Sequence, residues 1–163
     1  MNFKERNYIE FIQQNQALII KIASLYSDGA EDRKDLLQEI YYQIWKSFDS
    51  FKGNAKKSTW LYRICMNTAI QFLKKKKNFT KHAYTEDLVE RITVSNTYEE
   101  SVVNLSKLLQ PLNELDKGIV LLYLEEKSHK EIAEIIGISI SNVGTRFNRI
   151  KEKLKKLNKS SKI

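Results

Sequence analysis

The chain has 163 residues, 28 Lys and Arg against 20 Asp and Glu, and a formal net charge of +8. That length admits one domain or two small ones, and the charge favours an anionic partner such as nucleic acid or a membrane surface. The single cysteine, Cys65, excludes an internal disulfide and a cysteine-based zinc cluster.

Charge is distributed in blocks. Residues 1–80 carry 14 Lys and Arg against 8 Asp and Glu, and residues 127–163 carry 10 against 3. Between them, residues 81–126 carry 4 against 9. Two basic blocks around an acidic one suggest two separate anion contacts. No signal-like apolar core follows Met1–Arg6, and Leu18-Ile19-Ile20 is interrupted at Lys21. A cytoplasmic chain without membrane insertion is therefore expected.

Apolar spacing is helical almost throughout, with one proline and five glycines. A first helix is expected over residues 4–26, ending near Ser27-Asp28-Gly29. A second covers about 32–49, with Leu37, Ile40, Ile44, Trp45 and Phe48 on one side. A third runs from Ser58 to Lys77 and buries Leu61, Ile64, Cys65, Thr68, Ala69 and Phe72. The three form a core with Trp45 and Phe48 inside.

The third helix carries a second stripe at steps of three or four: Trp60, Arg63, Asn67, Gln71 and Lys74. A basic loop, Lys52 to Lys57, precedes it, and four lysines, Lys74 to Lys77, close it. Aromatic platforms beside cations suit unstacked bases and a phosphate backbone. The plainer readings are a core tryptophan and a solvated lysine run. Together the features point to opened or single-stranded nucleic acid.

Periodicity fades over residues 78–97, which read as a linker. A second domain restarts near Tyr98. Val102, Leu105, Leu108 and Leu109 form a helix stopped at Pro111. Asn113 caps the next helix, Asp116 lies in its first turn, and Ile119, Val120, Leu122 and Tyr123 give its buried side.

Ser128-His129-Lys130-Glu131 fits a capping box. Ile132, Ala133 and Ile136 form the buried face that follows. Gly137 supplies a left-handed residue at the helix end, Ile138 plugs the gap, and Ser139 caps the last helix. That helix has a core stripe of Val143, Phe147, Ile150, Leu154 and Leu157. Its other side carries Ser141, Asn142, Thr145 and Arg149, with Arg146 at the edge. A short helix, a glycine turn and a longer polar-faced helix describe a helix-turn-helix; a basic helical hairpin is the plainer alternative. The expected fold class is all-α: two small helical domains joined by a flexible linker, the second a helix-turn-helix.

With both halves read, the chain resembles bacterial sigma factors of the extracytoplasmic-function (ECF) group, in the sigma-70 superfamily. Asp35-Leu36-Leu37-Gln38-Glu39 with Ile44-Trp45 resembles the helix that docks on RNA polymerase. Thr59-Trp60-Leu61-Tyr62-Arg63-Ile64 with Asn67 resembles the promoter-melting segment that recognises the −10 element. Glu131-Ile132-Ala133 through Gly137-Ile138-Ser139, then Val143 and Arg146 to Arg149, resembles the helix-turn-helix that reads the −35 element.

The resemblance implies a sigma factor with three sets of site residues. Polymerase docking would use Asp35, Leu36, Gln38, Glu39 and Trp45. The −10 set would be Lys52, Asn54, Lys56, Lys57, Ser58, Thr59, Trp60, Arg63, Asn67, Gln71 and Lys74. The −35 set would be His129, Lys130, Ser141, Asn142, Thr145, Arg146 and Arg149. Domains would comprise residues 1–77, a linker 78–97, and residues 98–163. The partners are core RNA polymerase and promoter DNA, with an anti-sigma factor as a candidate third. No cofactor and no metal is implied. Gly144 departs from the basic or polar residue often found at its place in the recognition helix, which shifts specificity to Asn142, Thr145, Arg146 and Arg149. The acidic 81–126 block matches no family motif.

Two other classes compete. A stand-alone helix-turn-helix regulator explains residues 128–156 but leaves Phe51–Lys77 idle, and there is no long apolar heptad for a dimer. An enzyme on nucleic acid lacks a metal spacing, a phosphate loop or a nucleophile motif, and His82 and His129 are far apart.

Overall fold

The first helix, α1, spans Phe3–Leu25, and a capping box starts it. Asn2 Oδ1 accepts the Glu5 N–H at 2.8 Å, while the Asn2 N–H donates to the Glu5 carboxylate at 3.1 Å. Two donors otherwise orphaned at a helix start are thereby satisfied. The computed structural model describes residues 1–53, 56–80 and 104–160, with the backbone alone at 77–80. Asn54, the expected linker from residue 81 to 97, and the expected restart at Tyr98 with Val102 lie outside the described residues.

Gly29 turns the chain into α2, Ala30–Ser47, with a φ of 91° that disfavours any residue with a Cβ. Glu31 and Asp32 sit in the first turn, near the positive end of the helix dipole. A 3-10 turn, Phe48–Ser50, ends α2 earlier than expected. The third helix, α3, spans Lys57–Thr80. It starts one residue before Ser58 and runs through the four lysines rather than stopping at them. Lys76 forms an ion pair with Asp32 and so ties this stretch back to the start of α2.

Ile19 and Ile22 of α1, Leu36, Ile40 and Ile44 of α2, and Leu61, Cys65 and Ala69 of α3 are all fully buried. Each larger aliphatic contributes about 1.5–3 kcal/mol by leaving water. Trp45 and Phe48 are corrections to the expected core. Both are half-buried, and Tyr8 meets them edge-on at 5.0 and 5.7 Å. They form an aromatic flank because the aliphatic residues one turn apart on α2 already fill the centre.

The chain divides into two compact units, Met1–Leu108 and Leu109–Ile163. Residues 104–109 are helical and are called α4. They are followed by α5 (Glu114–Leu124), α6 (His129–Ile136) and α7 (Ile140–Ser160). Among the described residues every regular element is helical. The second core joins Ile119, Leu121 and Leu122 to Ile132, Ile135, Val143 and Ile150. Three expectations are corrected here. Ile135 rather than Ile136 is the deeper residue of α6. Tyr123 is 49% exposed because it stacks on Phe147 at 4.5 Å instead of entering the core. Leu157 is 42% exposed, on a part of α7 that has outrun its neighbours.

Leu36→Ala is expected to lower the stability of the first unit by about 2–5 kcal/mol in a denaturant titration. Gln38→Ala, on the exposed side of the same helix, should shift it by less than about 0.5 kcal/mol. Burial pushes the Cys65 thiol from 9.0 up to about 12. The unfolded chain therefore loses this proton near pH 9 while the folded chain keeps it, so stability should fall as pH rises above 9. Thiol-reagent labelling with parallel unfolding curves checks both: the folded protein stays unlabelled wherever it remains folded.

Candidate nucleic-acid interfaces

On α2 the spacing of Asp35, Gln38 and Glu39 puts all three on the exposed side. Leu36, expected beside them, is fully buried and has no surface to offer a partner. It holds α2 in place. Trp45 is half-buried, and Lys4 Nζ lies 4.3 Å from its ring. Tyr42, which sequence reasoning missed, is 56% exposed. It lies four residues after Gln38 and three after Glu39, a spacing that could have identified it.

The stripe on α3 opens onto two clefts. Arg63, Asn67, Gln71 and Lys74 are exposed, as are Lys52, Lys56, Lys57 and Ser58. Thr59, expected in the DNA set, is buried at 5% exposure and belongs to the packing of α3. Asn67 and Gln71 line a cleft of about 420 Å³ between α2 and α3. Asp35, Glu39 and Gln43 line it too. Gln43 Nε2 donates to Glu39 Oε1 at 3.0 Å, which orients its amide. Gln43 and Ser47, also on the lining, were missed because only the fold brings α2 against this stretch of α3.

Trp60 lines a different cleft, of about 330 Å³, between α1, the 3-10 turn and the start of α3. Its ring lies 5.1 Å from that of Phe51 and 6.0 Å from that of Phe11. Lys57 Nζ sits 4.6 Å from the Phe11 ring centre and 5.7 Å from that of Phe48. Trp60 and Asn67, one sequence stripe, thus serve separate cavities.

In the second unit the helix-turn-helix is built by its caps. Ser128 Oγ accepts the Glu131 N–H at 3.2 Å, and the Glu131 carboxylate accepts the Ser128 N–H at 2.8 Å. Gly137 takes the left-handed conformation with φ 83°. Ser139 Oγ accepts the Asn142 N–H at 3.1 Å and starts α7. Ser141, Asn142, Thr145 and Arg149 are exposed, as are His129 and Lys130 at the start of α6. The Thr145 hydroxyl donates to the Ser141 carbonyl at 3.1 Å and keeps its acceptor side for a partner.

Arg146 leaves the exposed set. Its guanidinium donates to Asp116 Oδ1 at 3.0 Å, and its Nε is buried without a hydrogen-bond partner. It clamps α7 to the first turn of α5. Gly144 turns toward α6: a Cβ there would meet His129 Nδ1 at 3.9 Å, ordinary contact. The His129 ring lies 5.8 Å from that of Phe147.

Among the described residues, one helical unit carries a cleft beside a carboxylate face and the other a capped helix-turn-helix. Residues 11–79 match the family model for Sigma-70 region 2, and residues 103–154 match that for Sigma-70, region 4. The chain is 32% identical over 148 residues to the ECF RNA polymerase sigma factor SigW of Bacillus subtilis, covering 78% of this chain and 76% of that protein. It is 31% identical over 138 residues to the RNA polymerase sigma factor YlaC of the same organism, covering 77% of each. The sigma factor RpoE, solved in complex with the anti-sigma factor NepR from Bartonella quintana, shares the fold with a TM-score of 0.71. That match has 18% identity and covers 94% of this chain and 98% of that one. The chain belongs to the sigma-70 family, in its ECF group of RNA polymerase sigma factors. Among the described residues no helix is long and apolar enough to cross a membrane.

Arg146→Ala and Asp116→Ala should each lower the stability of the second unit by on the order of 1–2 kcal/mol, a value discounted for partial exposure. The double variant should cost little more than either single change. Thermal unfolding of the four proteins checks the coupling. Simple addition of the two losses would remove the clamp.

Proposed function

We propose that residues 1–77 dock on core RNA polymerase and read the −10 element as it opens, while residues 98–163 read the −35 element, with residues 78–97 as the linker. The observation that carries this reading is the cleft between α2 and α3, with Asp35 and Glu39 on its lining together with Asn67 and Gln71. Docking carboxylates and base-reading amides share one rigid frame, so seating on polymerase fixes where a base must come. Asp35, Gln38 and Glu39 offer acceptors to basic residues of polymerase, flanked by Tyr42 and Trp45.

An unstacked base enters the cleft at Asn67, whose amide pairs with its edge. Arg63, Gln71 and Lys74 follow the strand. Lys52, Asn54, Lys56, Lys57 and Ser58 hold phosphates ahead of it, and Trp60 supplies an aromatic face. At the upstream element, α7 enters the major groove. Asn142 and Arg149 read base edges. Ser141, Thr145, His129 and Lys130 hold the backbone.

Each module alone makes few contacts, so the free protein binds duplex weakly. Polymerase makes the two contacts simultaneous. An anti-sigma factor is a fitting third partner, as in the complex of the RpoE relative. A stand-alone regulator leaves the first unit without a task.

Asp35→Lys with Glu39→Lys should abolish binding to core polymerase and run-off transcription together, by placing like charge on the docking face. Asn67→Ala should retain polymerase binding but reduce thymine reactivity to permanganate in the opened promoter. Arg149→Ala should weaken upstream recognition by about 1–3 kcal/mol. Tight operator binding by the free protein, with no affinity for core polymerase, would replace this reading with that of a regulator.

A further inference from the structure

The recognition side of α7 is built almost entirely of short side chains. Ser141, Asn142, Thr145 and Asn148 are exposed, Gly144 adds no side chain among them, and Arg149 alone is long. Arg146 is held by Asp116. Short side chains reach base edges only where the helix lies deep in the major groove, which is wide enough to admit one. A residue without a Cβ favours that depth, because nothing projects between its backbone and the groove.

Gly144 lies at the edge of α7 next to the start of α6, where a Cβ would meet His129 Nδ1 at 3.9 Å. His129 and Lys130 are exposed there, so this edge of α7 faces the DNA that they would hold. Asn148 follows Gly144 by one turn, and helical side chains lean toward the N-terminus of their helix. The Asn148 amide therefore leans over the space that a side chain at 144 would fill. Among the described residues no hydrogen bond holds that amide. Its neighbours one turn away are engaged or acidic. The Thr145 hydroxyl donates to the Ser141 carbonyl, Lys151 Nζ lies 5.0 Å from the Phe147 ring, and the exposed Glu152 adds an acceptor.

We propose that Asn148 reads an adenine of the −35 element through the gap left by Gly144. The proposal rests on the sigma-factor reading and adds to it one residue and the base that it selects. In the major groove adenine presents the N7 acceptor beside the N6 amine, and an asparagine amide matches both. Nδ2 donates to N7, and Oδ1 accepts from N6. Guanine offers two acceptors, which leave Oδ1 unmatched and are repelled by the Glu152 carboxylate. Thymine offers one acceptor and a methyl group, and cytosine a single amine. Glycine at 144 thus moves a base-reading position one turn along α7, to Asn148.

The test uses holoenzyme reconstituted from core polymerase and the full chain, with a promoter library randomised across the upstream element. Bound promoters are recovered and sequenced. The parent should enrich adenine roughly tenfold at one position, within the range for a bidentate base contact. Asn148→Ala, a change of an exposed side chain, should flatten that position alone. Asn148→Asp should turn it toward cytosine, whose amine donates to a carboxylate. Gly144→Ala should keep the adenine preference, and Gly144→Leu should remove it by covering the gap. Arg149→Ala should relax a different position. Identical preferences in the parent and Asn148→Ala would overturn the proposal while leaving the sigma-factor reading intact. An even loss of affinity for all sequences in Asn148→Ala would make Asn148 a backbone contact and also overturn it. Adenine preference retained in Gly144→Leu would do the same, since the gap would then play no part. Failure of the parent to bind core polymerase or to select any promoter would defeat the sigma-factor reading and this proposal together.

Discussion

The packing of α2 on α3 is the constraint from which the first unit takes its use. Leu36, Ile40 and Ile44 face Leu61, Cys65 and Ala69 in a core from which water is excluded. Close-packed side chains of this kind resist small shifts, because every displaced methylene loses contacts on all sides. The polar edges of the two helices are consequently held at a set separation. Asp35 and Glu39 project from one edge, Asn67 and Gln71 from the other, and the cleft between them is the space the core leaves at the surface.

The second unit achieves rigidity differently. Two of its helices are short, α5 spanning Glu114–Leu124 and α6 only His129–Ile136, and short helices are marginal on their own. Caps compensate: Asn113, Ser128 and Ser139 each accept a backbone N–H three residues on. Gly137 closes α6 with two backbone bonds to the Ala133 carbonyl, from its own N–H at 2.8 Å and from that of Ile138 at 3.2 Å. The ion pair from Arg146 to Asp116 then ties α7 to the first turn of α5.

Charge placement separates function from stability. Many cations lie on exposed faces of α3 and α7, where they cost little to the fold and remain available to an anion. Some also have protein partners: the half-buried Lys76 pairs with Asp32, and the exposed Lys57 and Lys153 reach the Phe11 and Phe48 rings and the Pro111 carbonyl.

The sequence alone determined the helical class, the two-part organisation, the capping box at Ser128 and the turn at Gly137. These depend on interactions within about four residues, which spacing and residue type express directly. It also placed Cys65 in the core, since an apolar stripe specifies its own buried side. Only the tertiary structure decided the rest. Leu36 and Thr59 sat inside functional-looking motifs, yet both are buried. Trp60 and Asn67 shared a stripe, yet α1 covers one end of it and α2 the other, so they open on separate clefts. Arg146, at the edge of the polar side of α7, is paired with Asp116, thirty residues earlier, a contact that spacing does not reveal. Gln43 and Ser47, on the lining of the cleft between α2 and α3, carried no local signal at all. Periodicity reports which side of a helix is apolar, but not which neighbour covers each part of that side, because that depends on contacts between residues far apart in the chain.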